Sequence, residues 1–142
     1  IDGLSRSATA VALVETVLLT ISREDFGKHM RQCPQLALNF LNELSVRVRY
    51  NTRQMNSLTS MDVPQRLARK LMELAQSYGL AEDSGVRINM PLTQSDLASL
   101  VGATRESINK SLRDFRLREW IHVHQGQIII LDPEALRSQV TA

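Results

Sequence analysis

Four polar residues in the C-terminal half of the chain have side-chain types and a spacing suited to recognising hydrogen-bonding edges and anions. They are Arg105, Glu106, Asn109 and Lys110. Residues four apart lie on one face of a helix, so these side chains would share one surface. A guanidinium can donate two parallel hydrogen bonds to O6 and N7 of guanine, and a carboxylate can accept one from N4 of cytosine. An ammonium group adds a compact positive charge. The expected chemistry is therefore non-covalent recognition.

The sequence around these residues predicts two helices joined by a tight turn within residues 92–121. Thr93 is a predicted N-cap with Asp96 three residues later, and Thr104 is a second N-cap. Gly102 lies where the chain must turn sharply, because glycine tolerates a positive φ without steric cost. The apolar residues expected to face the core are Leu97, Leu100 and Val101 in the first helix and Ile108, Leu112 and Phe115 in the second.

A predicted β-hairpin follows the second helix. Residues 121–123 and 127–130 are mostly β-branched and flank a turn that contains Gly126. Trp120 is expected to fill the core between helix and hairpin. A helix-turn-helix followed directly by a hairpin is a winged helix, in which the second helix presents its polar first turn to the major groove of DNA.

A long helix is predicted over residues 34–59, and its apolar residues recur in steps of four and three. Three heptads of this kind favour a parallel two-fold dimer, with the polar Asn51 fixing the register and the number of chains. The alternative is a helix that packs only within its own chain. The predicted seam consists of Ala37, Leu41, Leu44, Val48, Asn51, Met55 and Leu58.

The remaining segments flank these two features. Residues 1–21 are predicted to form strands, which need further strands beside them because two strands are not stable alone. Ser22 begins a predicted short helix that ends before Pro34. Beyond the long helix we expect, in order, a helix over 63–78 capped by Asp62, Gly79 at its C′ position, a loop over 82–85 and an edge strand over 86–90.

The composition and the motifs of the sequence argue against several other classes of protein. The chain has 142 residues, 43% of them hydrophobic, and a formal net charge of +2, which allows one domain or two small ones. A single cysteine, Cys33, permits no disulfide and no cysteine-rich metal site within one chain. The sequence contains no apolar run of the roughly 18 residues that span a membrane and no visible signal peptide, so we expect a cytoplasmic protein. It contains no catalytic arrangement, phosphate-binding glycine loop or metal cluster that would indicate an enzyme.

The chain resembles the bacterial transcription regulators of the cyclic-AMP receptor protein (CRP/FNR) family. The resemblance rests on Arg6-Ser7-Ala8, the long helix, Asp62-Val63-Pro64 and, most specifically, the segment LTQSDLASLVGATRESINKSLRDF. It implies an α+β, mainly helical fold, and a fragment that lacks the first strands of the sensor domain. Three parts are implied: residues 1–33 as the remnant of a cyclic-nucleotide-binding-like β-roll, 34–61 as the dimerisation helix and 62–142 as a winged helix-turn-helix domain.

The resemblance also assigns roles to individual residues. It implies base contacts by Arg105 and Glu106 in a recognition helix near residues 104–118. Lys110, one turn further along this helix, would contact DNA as a point charge. Asn109 would contact a base or a phosphate. Independently of the resemblance, positions at helix N-termini suggest phosphate contacts by Thr93, Gln94, Ser95 and Thr104.

Four further residues match the nucleotide pocket of the family. Arg6 and Ser7 resemble its phosphate-binding end, and Asn51 and Thr52 match positions that contact the adenine base. For Asn51 and Thr52 the alternative is that they only set the helix register or lie on the helix surface. The resemblance therefore implies a cyclic nucleotide, cAMP, as cofactor of the intact protein. It implies none for this fragment, because the acidic ribose partner would precede Ile1.

The expected function is a DNA-binding transcription regulator that binds a palindromic operator as a homodimer, acting as activator or repressor. An activator would also contact RNA polymerase. The alternative is a ligand-sensing or protein-interaction module whose winged helix binds protein, since winged helices serve both purposes. The basic first turn at Arg105 and Lys110 favours DNA.

Overall fold

The computed structural model describes residues 4–5, 8–12, 14–124 and 126–141, which contain six helices and four short strands. The chain divides into two compact units, residues 1–53 and 54–142. The elements are α1 (Arg23–Gln32), α2 (Pro34–Ser60), α3 (Val63–Tyr78), β1 (Gly79–Glu82), β2 (Gly85–Ile88), α4 (Gln94–Val101), α5 (Arg105–Leu117), β3 (Ile121–His124), β4 (Gln127–Ile130) and α6 (Pro133–Thr141).

The strands predicted within residues 1–21 are not found: the described residues between 4 and 21 contain no strand. The large apolar side chains that the structure describes in this segment are exposed, for example Val17 at 93% and Leu18 at 75%. A pair of strands needs a third strand or a packed helix for stability. Small and β-branched residues alone therefore do not make this segment a sheet.

The two helices that begin in the first unit start where their sequences predict. Ser22 caps α1, its hydroxyl oxygen accepting from the Asp25 backbone N–H. Phe26 of α1 contacts Phe40 of α2 edge to face, with ring centroids 5.3 Å apart. α2 is continuous for 27 residues.

The predicted seam of α2 is exposed to solvent in the single chain. Its large apolar members are between 42% and 68% exposed, namely Leu41, Leu44, Val48, Met55 and Leu58. Packing among the described residues of one chain does not cover this stripe.

The second unit is built around α3. Asp62 caps this helix in a capping box with Gln65, and Pro64 lies in its first turn. The core residues come from α3 and from every later element except β1. They are Leu67, Ala68, Leu71, Leu74, Ile88, Leu92, Leu97, Ala98, Val101, Ile108, Leu112, Phe115, Ile121, Ile128, Ile130 and Leu136.

The four strands form one antiparallel sheet in the order β1-β2-β4-β3. β3 and β4 form the predicted hairpin, in which His122 lies opposite Ile129. β2 pairs with β4, with Val86 opposite Ile130. The wing is therefore one half of a larger sheet.

Three details around β1 differ from the sequence predictions. Gly79 is extended, with φ −74° and ψ 138°, rather than left-handed, and it begins β1. Glycine is needed there because a Cβ would lie 2.2 Å from the Ala75 backbone oxygen. The loop predicted over 82–85 is shorter in the structure, because Glu82 and Gly85 pair with each other as strand residues. The predicted edge strand is β2, which lies between β1 and β4.

The helix-turn-helix and wing occur as predicted, with one exception in α4. Leu97 and Val101 are buried, but Leu100 is 45% exposed, and Ala98 takes its place in the core. α4 has only eight residues, so a narrow stripe of its surface meets the core. All three predicted apolar residues of α5 are buried.

Candidate nucleic-acid interface

The first helix of the candidate interface begins in a reciprocal capping box. The Asp96 backbone N–H donates to Thr93 Oγ1 at 3.1 Å, and the Thr93 backbone N–H donates to Asp96 Oδ2 at 2.8 Å. The Thr93 hydroxyl also donates to the same carboxylate, at 2.7 Å. These two hydrogen bonds from Thr93, that of the hydroxyl first, lower the pKa of the Asp96 carboxyl. The start of α4 is therefore fixed by a carboxylate that stays ionised.

The turn between the two helices depends on Gly102. This residue has φ 65° and ψ 53°, the left-handed conformation that glycine adopts without strain, and its N–H donates to Ala98 O. The next N–H, that of Ala103, donates to the same oxygen at 3.0 Å. Two hydrogen bonds thus close the end of α4 before Thr104 starts the next helix.

Helix α5 begins with a second capped turn. Thr104 Oγ1 accepts from the Ser107 backbone N–H at 3.2 Å. Hydrogen bonds from its own backbone N–H and from the Thr104 hydroxyl, with a smaller contribution from the Arg105 charge, hold the pKa of the Glu106 carboxyl below its usual range. Glu106 therefore remains a hydrogen-bond acceptor at ordinary pH, at the positive end of the helix dipole.

The four residues with recognition chemistry share the exposed face of α5. Arg105, Glu106, Asn109 and Lys110 are all exposed. The buried side of the same helix is formed by Ile108, Ser111, Leu112 and Phe115. The buried side anchors the helix in the core, and the opposite side is exposed to solvent. A recognition helix requires this arrangement.

The remaining predicted DNA residues lie at helix starts. Thr93 and Ser95 are exposed at the start of α4, where Gln94 is half-buried, and Thr104 is exposed at the start of α5. Backbone N–H groups at such positions suit a phosphate. The eight residues therefore belong to one helix-turn-helix, and their contacts with DNA remain a prediction.

The structure extends the basic face beyond the predicted set. Arg113 and Arg116 are exposed further along α5. Arg113 lies between two open grooves, one of about 500 Å³ that Lys110 also lines, and one of about 410 Å³ shared with Arg116 and His122. The helical spacing of these arginines was visible in the sequence, but the grooves beside them depend on α3 and β3.

The wing packs on the same helix. Trp120 contacts Phe115 with ring centroids 5.4 Å apart, which confirms its predicted place between helix and wing. The Trp120 carbonyl accepts from the Leu131 and Asp132 backbone N–H groups. The hairpin is thereby held against the end of α5.

The residues predicted for a nucleotide pocket are not brought together by the described structure. Arg6 and Ser7 lie outside the described residues. Asn51 and Thr52 are exposed on α2, where the Thr52 hydroxyl donates to Val48 O at 3.0 Å. The hydroxyl oxygen of Thr52 can still accept a hydrogen bond.

Two further features concern the metal-ligating side chains and the helices in the described part of the chain. Among the described residues, no group of three or more His, Cys, Asp or Glu side chains could hold a metal ion. In the same part of the chain, none of the helices combines the length and apolar character needed to cross a membrane.

One set of contacts was not predicted from the sequence. Arg66 of α3 donates hydrogen bonds to Val101 and Gly102, at the helix-turn-helix. These residues are separated by 35 and 36 positions, and no local sequence pattern indicates such a contact.

Comparison with known proteins agrees with this geometry. Residues 65–139 match the sequence profile described as a Crp-like helix-turn-helix domain. The CRP-like cAMP-activated global transcriptional regulator of Mycobacterium tuberculosis is 34% identical over 135 residues, which cover 95% of this chain and 60% of that protein. The global nitrogen regulator of Synechococcus elongatus is 28% identical over 130 residues, which cover 92% of this chain and 59% of that protein. The chain spans about 60% of the length of these curated relatives.

A solved structure has the same fold. A CRP/FNR-family transcriptional regulator from Thermus thermophilus superposes with a TM-score of 0.71 at 24% identity, covering 77% of this chain and 56% of that one. At this identity the similarity supports the fold alone. The profile, however, matches more than half of this chain and includes both helices of the motif and the wing. The chain therefore belongs to the CRP/FNR family of transcription regulators.

Proposed function

We propose that this chain binds a palindromic DNA operator as a homodimer and so regulates transcription. The observation that carries the proposal is the two-sided character of α5. Its apolar side is buried in the core, while Arg105, Glu106, Asn109 and Lys110 are exposed next to a capped helix start. Arg105 and Glu106 would contact base edges, and a half-site with a G·C step follows from their chemistry.

Phosphate contacts would hold the recognition helix in register. Thr93, Ser95 and Thr104 are exposed at the starts of α4 and α5, where backbone N–H groups point outward and can donate to a phosphate. Lys110 would supply a positive charge beside them. Such contacts position a protein on DNA without reading its sequence, and they leave discrimination to Arg105 and Glu106.

The proposed dimer is carried by the seam of α2. Five large apolar side chains, each at least 42% exposed, recur at heptad spacing along this helix of 27 residues. Pairing two such helices in parallel would bury the stripe and place two recognition helices about a two-fold axis. The division into residues 1–33, 34–61 and 62–142 is part of the same proposal.

The intact protein is proposed to respond to a cyclic nucleotide, since the Mycobacterium tuberculosis relative is named as cAMP-activated. Arg6 and Ser7 would bind the phosphate, and Asn51 and Thr52 would face the base. The site of action would be the bacterial cytoplasm, where operator DNA is accessible. An activator would contact RNA polymerase in addition.

The proposal is tested by selecting DNA duplexes that bind the protein and then titrating them to measure affinity. The 142-residue chain is allowed to select duplexes from a randomised library, and the recovered duplex and a scrambled version are titrated by fluorescence anisotropy at two salt concentrations. We expect recovery of a palindrome that binds more tightly than its scrambled version. Recovery of no duplex, with salt-independent capture of a protein partner, would support the protein-interaction alternative and overturn the proposal.

A further inference from the structure

The side chain of Arg66 joins three backbone carbonyls that belong to different parts of the second unit. Nε donates to Val101 O at 3.0 Å, Nη2 to Gly102 O at 3.3 Å, and Nη1 to Met61 O at 2.7 Å. Val101 ends α4, Gly102 is the turn of the helix-turn-helix, and Met61 follows the last residue of α2. One guanidinium therefore ties the turn to α3 and to the chain just after α2.

A second, apolar contact reaches the same turn. A Cβ placed on Gly102 would lie 3.0 Å from Leu58 Cδ2, so the Leu58 methyl group packs directly against the glycine. Leu58 lies in the last turn of α2. The turn is thus held by hydrogen bonds from α3 and by van der Waals contact with α2.

The chemistry of these hydrogen bonds favours arginine at this position. The last carbonyls of a helix lack partners within the helix and carry partial negative charge. A planar guanidinium can serve several of them in a fixed geometry, whereas an ammonium group is a point charge that cannot reproduce the fork. All three nitrogens of Arg66 are used in this way.

The position of the turn determines where the recognition helix starts. Helix α5 begins at Arg105, three residues after Gly102, and Arg105 and Glu106 are the residues proposed to contact bases. A displacement of Gly102 would therefore move both side chains, while the apolar anchors in the middle of α5 would stay in the core.

We propose that Arg66 is a positioning residue of the DNA interface: it does not touch DNA, but it sets the geometry of the turn from which Arg105 and Glu106 project. The inference rests on the proposed DNA-binding function. It predicts that loss of Arg66 reduces discrimination between DNA sequences and leaves the number of phosphate contacts unchanged.

Arg69 provides a matched control on the same helix. Its guanidinium donates to Gln54 Oε1 at 2.9 Å, to Ser57 Oγ at 3.1 Å and to Met61 Sδ at 3.9 Å, and it forms an ion pair with Glu73 at 3.4 Å. These partners lie in α2, in α3 and between them, not in α4 or α5. Arg69→Ala therefore removes an arginine that links α3 to α2 and leaves the turn untouched.

The experiment compares R66A, R66K and R69A with the wild type in the 142-residue chain. The probes are the duplex selected by the wild type and its scrambled version, each titrated at several salt concentrations. For R66A and R66K we expect the ratio of the two affinities to fall roughly tenfold, as for loss of one base-specific contact. The slope of log affinity against log salt should not change, and R69A should keep the wild-type ratio.

R66K distinguishes positioning from folding. Lysine keeps the charge, so thermal unfolding close to that of the wild type combined with lost discrimination supports the proposal, even if R66A does not fold. Full discrimination by R66K would overturn it. A salt slope reduced by about one unit would overturn it too, because that change marks a phosphate contact.

Hydrogen exchange supplies a readout that does not involve DNA. The Ala103 amide, which donates to Ala98 O within the turn, should exchange faster in R66K than in R69A or the wild type. Equal exchange in all three proteins would contradict the role of Arg66 in the turn. If the wild type selects no duplex, the DNA-binding proposal fails, and the exchange rates still decide whether Arg66 positions the turn.

Discussion

Arg105 and Lys110 both lie on the exposed face of α5, and their side chains differ in the contacts they can make with DNA. Arginine can form paired hydrogen bonds with one base, whereas lysine offers a point charge. Within the described residues, the Lys110 side chain forms no hydrogen bond or ion pair, so its charge is available to a phosphate. Substitution of each residue should consequently change DNA binding in a different way.

Arg105→Ala should weaken binding to the selected duplex by about 1–3 kcal/mol and relax the preference at one base pair. The measurement is the affinity for a set of duplexes with single base-pair changes. Arg137→Ala is the matched control, since Arg137 lies on α6, outside the proposed interface. Equal losses on selected and scrambled DNA would contradict base recognition by Arg105.

Lys110→Ala should lower the affinity for all duplexes to a similar extent. If the ammonium group contacts a phosphate, the slope of log affinity against log salt should decrease by about one unit. The same titration series measures this slope. An unchanged slope with altered base preference would instead assign Lys110 to a base.

Sequence patterns predict single residues well when the interaction is local. The caps at Thr93 and Thr104 and the left-handed Gly102 follow from contacts within a few positions, and the structure has all three. Leu100 was predicted to be buried and is exposed, because apolar character does not specify which side of a short helix meets the core. The three hydrogen bonds of Arg66 depend on tertiary folding.

The start of α4 offers a test of the capping box at the scale of an element. Thr93→Ala should reduce the free energy of unfolding by about 1 kcal/mol, because the Asp96 N–H loses its acceptor. Urea unfolding measures the effect. Ser95→Ala is the control, since the Ser95 side chain forms no hydrogen bond within the described part of the chain. Equal stabilities of the two variants would contradict the role of the cap.

Acid should weaken the starts of both helices of the motif. The pKa values of Asp96 and Glu106 are lowered by hydrogen bonds, mainly from Thr93 and from the Glu106 backbone N–H respectively. A carboxyl with a lower pKa in the folded than in the unfolded state stabilises the fold above its ordinary pKa of about 4, and this stabilisation is lost as the pH falls through the lowered value.

Urea unfolding at a series of pH values between about 7 and about 3 measures this effect. Asp96→Asn and Glu106→Gln should each be less stable than the wild type at neutral pH and should lose less stability on acidification. A pH dependence identical to that of the wild type in both variants would show that these carboxylates do not contribute.

Elements with strong local sequence signals were predictable, and strands that lack such signals were not. α3, α5 and the β3–β4 hairpin have the predicted positions to within a residue or two. β1 was missed because Gly79-Leu80-Ala81-Glu82 has little β-propensity, and it is a strand through its pairing with β2. The strands predicted before residue 22 are absent from the described residues for the converse reason, since small and β-branched residues without partner strands do not form a sheet.

At the scale of the whole molecule, the seam of α2 predicts self-association. Val48→Asp, in the seam, should dissociate the proposed dimer, because it would bury a charge between the helices. Val46→Asp is the control: Val46 is 47% exposed and Val48 64% exposed, but only Val48 has seam spacing. Sedimentation equilibrium measures the mass of each variant. Dimers of equal stability in both variants would place the interface elsewhere.

The proposed function requires two recognition helices to act together on one palindrome. Two-fold symmetry places the half-sites one helical turn, about 34 Å, apart. The decisive experiment is to measure the affinity of the chain for the selected duplex before and after insertion of about five base pairs, half a turn, between the half-sites. We expect the insertion to move one half-site to the opposite face of the duplex and to lower the affinity to that of a single half-site. An affinity that does not change on insertion would show that the chain binds each half-site independently, and the proposed dimeric recognition would then be wrong.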